Sequence, residues 1–226
     1  MQEQGNQGSP VPPPYPHPII AREGWPFLGI AGVVSLAVNF FCGLMWALPF
    51  WVITLFILQF FRDPGRAIPD DPQAVLSPAD GRVVVAGTST SQDFAPAEWQ
   101  QISIFLSPMD VHVNRMPVGG RVTKVRYHPG RFLPAYRPDA GDLNEYTEVW
   151  IDHAGQTIVV RQIVGILARR IVCRTKEGAQ VAAGERFGVM KFGSRMDVFV
   201  PVDARIAVKV GDRVVGAVTV IAELAK

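Results

Sequence analysis

The chain has 226 residues, of which 48% are apolar and 19% charged, and its net charge is +2. This composition excludes a disordered polar chain, and the near balance of charge gives no sign of a nucleic-acid binder. The two cysteines, Cys42 and Cys173, are too few for a disulfide scaffold or a four-cysteine zinc site.

The N-terminal quarter is dominated by apolar residues. Residues 1–24 are rich in Pro, Gly and Gln, which predicts a disordered or polyproline-like tail. Residues 25–61 then carry no charge, a run too long for one ordinary membrane span of about 20 residues and short for two. We predict a membrane hairpin of two helices near 27–41 and 44–61, with its turn at Cys42–Gly43. One span followed by an interfacial stretch is the alternative.

Basic residues on both flanks of this hairpin indicate its orientation. Arg22 precedes the apolar run, and Arg62 and Arg66 follow it. Positive flanks favour the cytoplasmic side of the cell (inner) membrane. The rest of the protein is therefore expected at the cytoplasmic surface.

Residues 62–226 are predicted to form one mostly β domain of the sandwich or barrel-sandwich type. Short runs of alternating apolar and polar residues are separated by turns rich in Gly, Pro and Asp. The predicted strands are 82–86, 102–106, 121–127, 147–151, 157–164, 206–210 and 213–221. Short helical turns are expected at 96–101 and 165–170, and no long amphipathic helix is expected after residue 62.

Three polar clusters in this domain could carry chemistry, although none is specific alone. Residues 77–82 read SPADGR, which by itself is a turn sequence. Residues 105–117 read FLSPMDVHVNRMP and contain His112. Residues 191–195 read KFGSR.

Together and in this order, the three clusters resemble those of phosphatidylserine decarboxylases. The runs YHPGRFL at 127–133 and QIVGILARRIVC at 162–173 are also similar to that family. The resemblance covers nearly all of 62–226. The short chain, its N-terminal hydrophobic pair and the FGSR form at 192–195 resemble the short, archaeal-type branch.

The resemblance implies a proenzyme that cleaves its own chain between Gly193 and Ser194. The products would be chains 1–193 and 194–226, held together as a heterodimer. Ser194 would become a covalent pyruvoyl group, which forms a Schiff base with the amine of phosphatidylserine in the membrane. This group would serve as the electron sink for loss of CO₂, leaving phosphatidylethanolamine. The scheme requires no metal ion.

Motif positions imply roles for other residues. Asp80 matches a family aspartate associated with self-cleavage. His112 matches a histidine near the substrate carboxyl, and its ordinary pKa suits proton transfer. Longer bacterial members have a second histidine where this chain has Arg115, which is no base at neutral pH. The base for self-cleavage stays open between His112 and another group such as His128.

Three arginines are candidate substrate-binding residues: Arg115, Arg169 and Arg170. Of these, Arg169 and Arg170 could bind the lipid phosphate. A solvated basic pair explains Arg169 and Arg170 equally well. The family also has Asn-Glu-Arg where this chain has Asn-Glu-Tyr at 144–146, which leaves any role of that site open.

Three other functions remain as alternatives. A pyruvoyl enzyme for a soluble amino acid would not need the apolar run. A membrane-tethered barrel-sandwich carrier or interaction module predicts an uncleaved chain, with Lys191 modified or no residue modified. A serine hydrolase at Ser194 is disfavoured because no Gly-x-Ser-x-Gly elbow surrounds it. The oligomeric state stays open, homo-oligomers included.

Overall fold

A computed structural model describes residues 19–95, 97–137, 139–166, 171–191 and 193–225. Most of the predicted N-terminal tail lies outside the described residues. So do Arg169, Arg170 and Phe192, together with most of the helical turn expected at 165–170.

After one 3-10 turn at Arg22–Gly24, two apolar helices follow, close to the predicted bounds. Helix α1 (Trp25–Cys42) and helix α2 (Leu44–Phe60) are joined by Gly43. The φ of Gly43 is +83°, a left-handed conformation that glycine adopts readily. Ser35 Oγ and Thr54 Oγ1 lie 3.0 Å apart and form a hydrogen bond between the helices. The helices therefore form a hairpin.

The helical hairpin is mostly uncovered by the rest of the protein. Its buried members are Ser35, Ala47 and Phe60. The 21-residue segment Arg22–Cys42 is long and apolar enough to cross a membrane, whereas the apolar helix Leu44–Phe60 is shorter. An exposed apolar surface of this size is typical of a membrane or partner contact.

Short strands make up most of the remaining chain, as predicted. Within the described residues the strands are β1 (Ala74–Leu76), β2 (Gly81–Thr88), β3 (Trp99–Leu106), β4 (Val113–Arg115), β5 (Gly120–His128), β6 (Tyr146–His153), β7 (Gln156–Ile163), β8 (Ile171–Cys173), β9 (Gln180–Val181), β10 (Arg186–Met190), β11 (Ser194–Pro201), β12 (Arg205–Ile206), β13 (Arg213–Val214) and β14 (Val220–Glu223). One four-residue helix, α3 (Ala140–Leu143), lies between β5 and β6. No long helix follows residue 62 in the described part of the chain, as expected.

The strands form three antiparallel sheets around one core. An eight-stranded sheet has the order β13-β2-β3-β11-β7-β6-β5-β9, and two smaller sheets have the orders β1-β14-β12 and β4-β10-β8. All three sheets contribute to a common apolar cluster, for example Ile104, Met196, Phe187 and Ile221. The mostly β, sandwich-like prediction is confirmed.

The C-terminal strands differ from the prediction. Instead of long strands at 206–210 and 213–221, the chain forms the two-residue strands β12 and β13 and the short β14. The reason is that the chain changes sheets here: β13 pairs with β2, whereas β12 and β14 pair with each other. Ala217, between β13 and β14, has a φ of +60°, which a continuous strand does not allow. The helical turn predicted at 96–101 is also too long, because β3 already begins at Trp99.

Candidate active site

The three polar clusters meet at one edge of the eight-stranded sheet. Strands β2, β3 and β11 are neighbours. Phe105 near the end of β3 pairs with Arg82 on one side and Arg195 on the other. Ser194, the first residue of β11, pairs with Leu106. The starts of β2 and β11 therefore lie beside the end of β3, which continues into the His112 cluster.

Ser194 is fully buried at this edge. Its Oγ has no hydrogen-bond partner among the described residues. Gly193 before it has a φ of +64°, in the left-handed region that favours glycine. The Gly193–Ser194 peptide thus combines a distinctive backbone turn with a buried hydroxyl, which costs free energy when it makes no hydrogen bond.

Gly165 lies directly against the carbonyl of this peptide. A Cβ placed on Gly165 would lie 1.9 Å from the carbonyl oxygen of Gly193 and 3.4 Å from the Cβ of Ala135. The carbonyl can occupy this position only because residue 165 has no side chain. Sequence reasoning missed this residue, although it stands in the family-like run at 162–173.

His112 belongs to the same small region. Leu106 pairs with Ser194, and the backbone N–H of Met190 donates to the carbonyl of His112 at 3.2 Å. Ser194 and Met190 therefore lie beside the two ends of the segment 106–112. This arrangement brings His112 and Ser194 into one region of the fold.

The environment of His112 fixes its protonation. Its Nδ1 lies 2.9 Å from the carbonyl oxygen of Asp110 and must carry the hydrogen, because a carbonyl only accepts. Its Nε2 is buried without a hydrogen-bond partner among the described residues. Burial lowers the pKa of His112 from 6.5 to about 4. The ring centroid lies 4.1 Å from that of Phe60 in α2. At neutral pH His112 is a neutral imidazole able to accept a proton at Nε2.

Two amides that sequence reasoning missed lie on the interior side of this edge. Gln162 Nε2 donates to Asn114 Oδ1 at 2.8 Å, and both residues are fully buried. Gln162 pairs with Met196, two residues along β11 from Ser194, so Gln162 and Ser194 face the same side of the sheet. Asn114 Nδ2 and Gln162 Oε1 have no partner among the described residues. Their only sequence signal is polar residues at strand positions that should be apolar.

Asp80 lies at the same edge but has other partners. Both of its carboxylate oxygens accept from Arg66, at 2.9 and 2.8 Å, and Oδ1 also accepts from the N–H of Gly216 at 2.8 Å. Among the described residues no hydrogen bond joins Asp80 to His112 or Ser194. Asp80 thus fixes the turn before β2 against the C-terminal segment.

Arg115 connects the domain to the end of the hairpin. Its guanidinium donates to Asp63 Oδ1 at 2.7 Å and to the carbonyls of Pro64 and Gly184 at 3.2 Å each. Asp63 also pairs with Arg186. The geometry gives Arg115 a buried structural contact, and its predicted part in substrate binding stays a prediction.

His128, the other candidate base, lies far from Ser194. It pairs with Tyr146 on β6, and β5 is the third strand from β11. At about 4.8 Å per strand, that is roughly 14 Å across the sheet. Its Nε2 instead faces Glu148 at 3.6 Å. Of the two histidines, His112 is the one whose chain segment lies beside Ser194.

Within the described residues no group of three or more His, Cys, Asp or Glu side chains could hold a metal ion.

Comparisons with known proteins agree with these observations. The model of the family described as phosphatidylserine decarboxylase matches residues 53–222. Proteins named phosphatidylserine decarboxylase proenzyme are similar to the chain over 93% of its length. One from Cupriavidus taiwanensis is 50% identical and one from Nitrosomonas europaea 48% identical, each with 98% of its own length covered. One from Burkholderia ambifaria is 47% identical, also with 98% covered.

Proposed function

The chain belongs to the phosphatidylserine decarboxylase family and is a decarboxylase, and on that premise we propose that it acts through a pyruvoyl group made from its own Ser194. The group would arise by cleavage of the Gly193–Ser194 bond. The substrate would be phosphatidylserine, and the products phosphatidylethanolamine and CO₂.

The main support for this proposal is the conformation and burial of the Gly193–Ser194 peptide. A fully buried hydroxyl without a partner among the described residues follows a glycine in a left-handed conformation. The carbonyl that this hydroxyl would attack is fitted against Gly165. A nucleophile and its target held in one place react as an intramolecular pair, which lowers the entropic part of the barrier.

The residues support a defined order of steps. Ser194 Oγ loses its proton and bonds to the carbonyl carbon of Gly193. The C–N bond then breaks as the nitrogen takes up that proton, so that an ester and a free amine replace the amide. Loss of the Ser194 α-proton then expels the Gly193 carboxylate and leaves a dehydroalanine. Water converts this residue to a pyruvoyl group and releases ammonia. His112, neutral and with Nε2 available, is the base we assign to the first proton.

In decarboxylation, the pyruvoyl group supplies an electrophilic carbonyl and an electron sink that no encoded side chain offers. The chain's own residues exclude water and move protons. Ser194 lies on a buried edge, and His112 can hold a proton at Nε2 for return to the product carbon. Asp80 supports the turn next to β2 through Arg66.

The hairpin supports a location of this site at a membrane that contains the lipid substrate. We propose that residues 25–61 insert into the cell membrane with residues 62–226 on the cytoplasmic side and residues 1–24 as a tail. Phe60 and Phe61 at the end of the hairpin form an apolar cluster with Val111 and Val113, on either side of His112. The site would therefore lie at the membrane surface, where an anchored enzyme meets lipid at high effective concentration.

The test is the intact mass of the purified full-length protein. We expect two chains that meet at 193/194, the smaller with a ketone in place of its amino terminus. Ser194→Ala should remain one chain without decarboxylase activity, because the nucleophile is gone.

Controls separate the proposed chemistry from the alternatives. Ser89→Ala is the matched control, because it removes another buried serine hydroxyl, next to Trp99 at the opposite end of β3, and it should cleave normally. A wild-type chain that stays intact with a normal Ser194 amide would overturn the proposal and favour an uncleaved carrier or interaction module. Efficient cleavage of Ser194→Ala would remove Ser194 from the mechanism.

A further inference from the structure

We propose that the cleft between the base of α1 and strand β8 binds the phosphate of the phospholipid headgroup, with Lys191 as its principal ligand. The inference rests on the proposed function, because it assumes that a lipid amine reacts at residue 194. It names a phosphate ligand that the sequence analysis did not, since the phosphate ligands predicted there were Arg169 and Arg170.

The cleft is a concave surface of about 560 Å³ where the hairpin joins the β domain. Glu23 and Phe27 from the start of the hairpin line one side, and Val172 and Arg174 line the other. Lys191 completes the lining. Apolar and cationic groups therefore face the same space, as a phospholipid headgroup with the first part of its acyl chains requires.

The position of Lys191 relative to the hairpin indicates how deep it would lie in the membrane interface. Its ammonium lies 4.7 Å from the centre of the Phe27 ring, in the first turn of α1. Trp25, in that same turn, is 55% exposed. Aromatic residues at the end of an apolar helix mark the membrane–water interface. Lys191 would thus lie at the depth of the lipid phosphates.

Lys191 is also close to the reacting residue along the chain. It precedes Ser194 by three residues, which an extended chain spans in about 10 Å. In phosphatidylserine only the serine carbons and one ester oxygen separate the amine from the phosphorus. A lipid whose amine reaches residue 194 can therefore place its phosphate within reach of the Lys191 side chain. An ammonium is a common phosphate ligand and binds it as a point charge.

The remaining charges in the cleft allow an anion to enter. Glu23 would repel a phosphate, but Arg174 donates to its carboxylate from Nε at 2.9 Å. Burial of Glu23 acts to raise its pKa, and the pairing with Arg174 outweighs burial, so the pKa is lowered and the ion pair stays formed. The lining of the cleft therefore holds two basic side chains, Arg174 and Lys191, and one carboxylate.

The test uses the full-length protein in vesicles of phosphatidylcholine with increasing phosphatidylserine. Lys191→Met should raise KM, expressed as mole fraction of phosphatidylserine, about tenfold, the size expected for one charge-assisted contact. The kcat should change less than about twofold, because the lysine does not touch the reacting bonds. Lys191→Arg should keep KM within about threefold, because the charge is retained. Lys209→Met, an exposed lysine outside the cleft, is the matched control and should match wild type.

Product inhibition distinguishes the phosphate from the other anion of the substrate. Phosphatidylethanolamine carries the phosphate but no carboxylate. Its inhibition constant should rise about tenfold in Lys191→Met if Lys191 binds phosphate. An unchanged inhibition constant would assign Lys191 to the carboxylate and overturn the proposal. Soluble glycerophosphoserine, tested beside the vesicles, shows whether the same contact operates on a headgroup that is free of the bilayer.

A second variant covers the case in which Lys191→Met fails to cleave or fold. Phe27→Leu removes the ring beneath the ammonium and is distant in sequence from the cleavage site; we expect a smaller KM increase, of about threefold. A wild-type KM in fully cleaved Lys191→Met would overturn the phosphate site, and where that variant does not cleave, a wild-type KM in fully cleaved Phe27→Leu would do so. A wild-type chain that never cleaves would instead overturn the proposed function, so the two failures are distinguishable.

Discussion

Gly165 is the residue with the sharpest steric requirement at the site. A methyl group there would overlap the carbonyl oxygen of Gly193 at 1.9 Å, far inside van der Waals contact. We expect Gly165→Ala to fold but to cleave at least about ten times more slowly, because the carbonyl must leave the position in which Ser194 attacks it. Cleavage is followed by intact mass during cell-free synthesis of the chain into lipid nanodiscs.

A matched glycine separates this effect from a general loss of stability. Nothing lies within 4 Å of a Cβ placed on Gly65, so Gly65→Ala should cleave at the wild-type rate. Thermal unfolding of both variants reports whether they fold. If Gly165→Ala unfolds like wild type and cleaves as fast, the close contact between Gly165 and the Gly193 carbonyl is not required for cleavage.

His112 gives a prediction about pH with a defined sign. Its pKa is near 4 in the folded protein and 6.5 when exposed, because burial disfavours the charged ring. Between these values the unfolded chain binds the additional proton, so the free energy of unfolding falls as the pH drops through this window. From pH 7 to pH 5 the loss attributable to His112 is about 2 kcal/mol.

This loss can be measured by urea unfolding in detergent, in a Ser194→Ala background that keeps the chain intact. His112→Phe is the control, because it retains a ring against Phe60 but cannot titrate. We expect wild-type His112 to lose about 2 kcal/mol more than His112→Phe between pH 7 and pH 5. Equal losses would show that His112 is not held neutral by burial, and would weaken its assignment as the base.

At the scale of the elements, the alternation of apolar and polar residues predicted the strands whose position depends mainly on their own sequence. Alternation placed the long central strands correctly, for example 147–151 within β6, and 157–164, which runs one residue past the end of β7. It failed at the C-terminus, where β12, β13 and β14 are short because the chain moves between sheets. Residues there alternate as in a strand, but their hydrogen-bond partners include residues more than a hundred positions away, such as Val83 for Gly211.

The same limit applies to the candidate site. The cluster at 193–195 and His112 could be found because their motifs are local and resemble a known family. Gly165 and Gln162 could not be given a role, because each depends on a partner in another segment of the chain. Arg115 is the clearest case: its contact with Asp63 spans 52 residues and becomes visible only once the hairpin is docked.

At the scale of the whole molecule, specific contacts fix the hairpin to the β domain, so the two are not connected by a flexible linker alone. The N–H of Ala21 donates to the carbonyl of Phe61 at 2.8 Å, which closes the base of the hairpin. Phe60 contacts His112, and Asp63 is held by Arg115 in a buried ion pair. If the hairpin is the membrane anchor that we propose, these contacts would set the height of the site above the bilayer, which a flexible tether would not.

After cleavage at 193/194 the two fragments should stay associated, because strands of one fragment pair with strands of the other in the same sheets. In the 194–226 chain, β11 pairs with β3 and β7, β13 pairs with β2, and β14 pairs with β1. Removing β11 would expose the common core, to which Met196 and Val198 belong. We expect the two fragments to elute together in mild detergent, at the volume of the uncleaved Ser194→Ala chain, and to separate only in denaturant. Loss of the smaller fragment under native conditions would mean that these pairings do not hold the cleaved enzyme together.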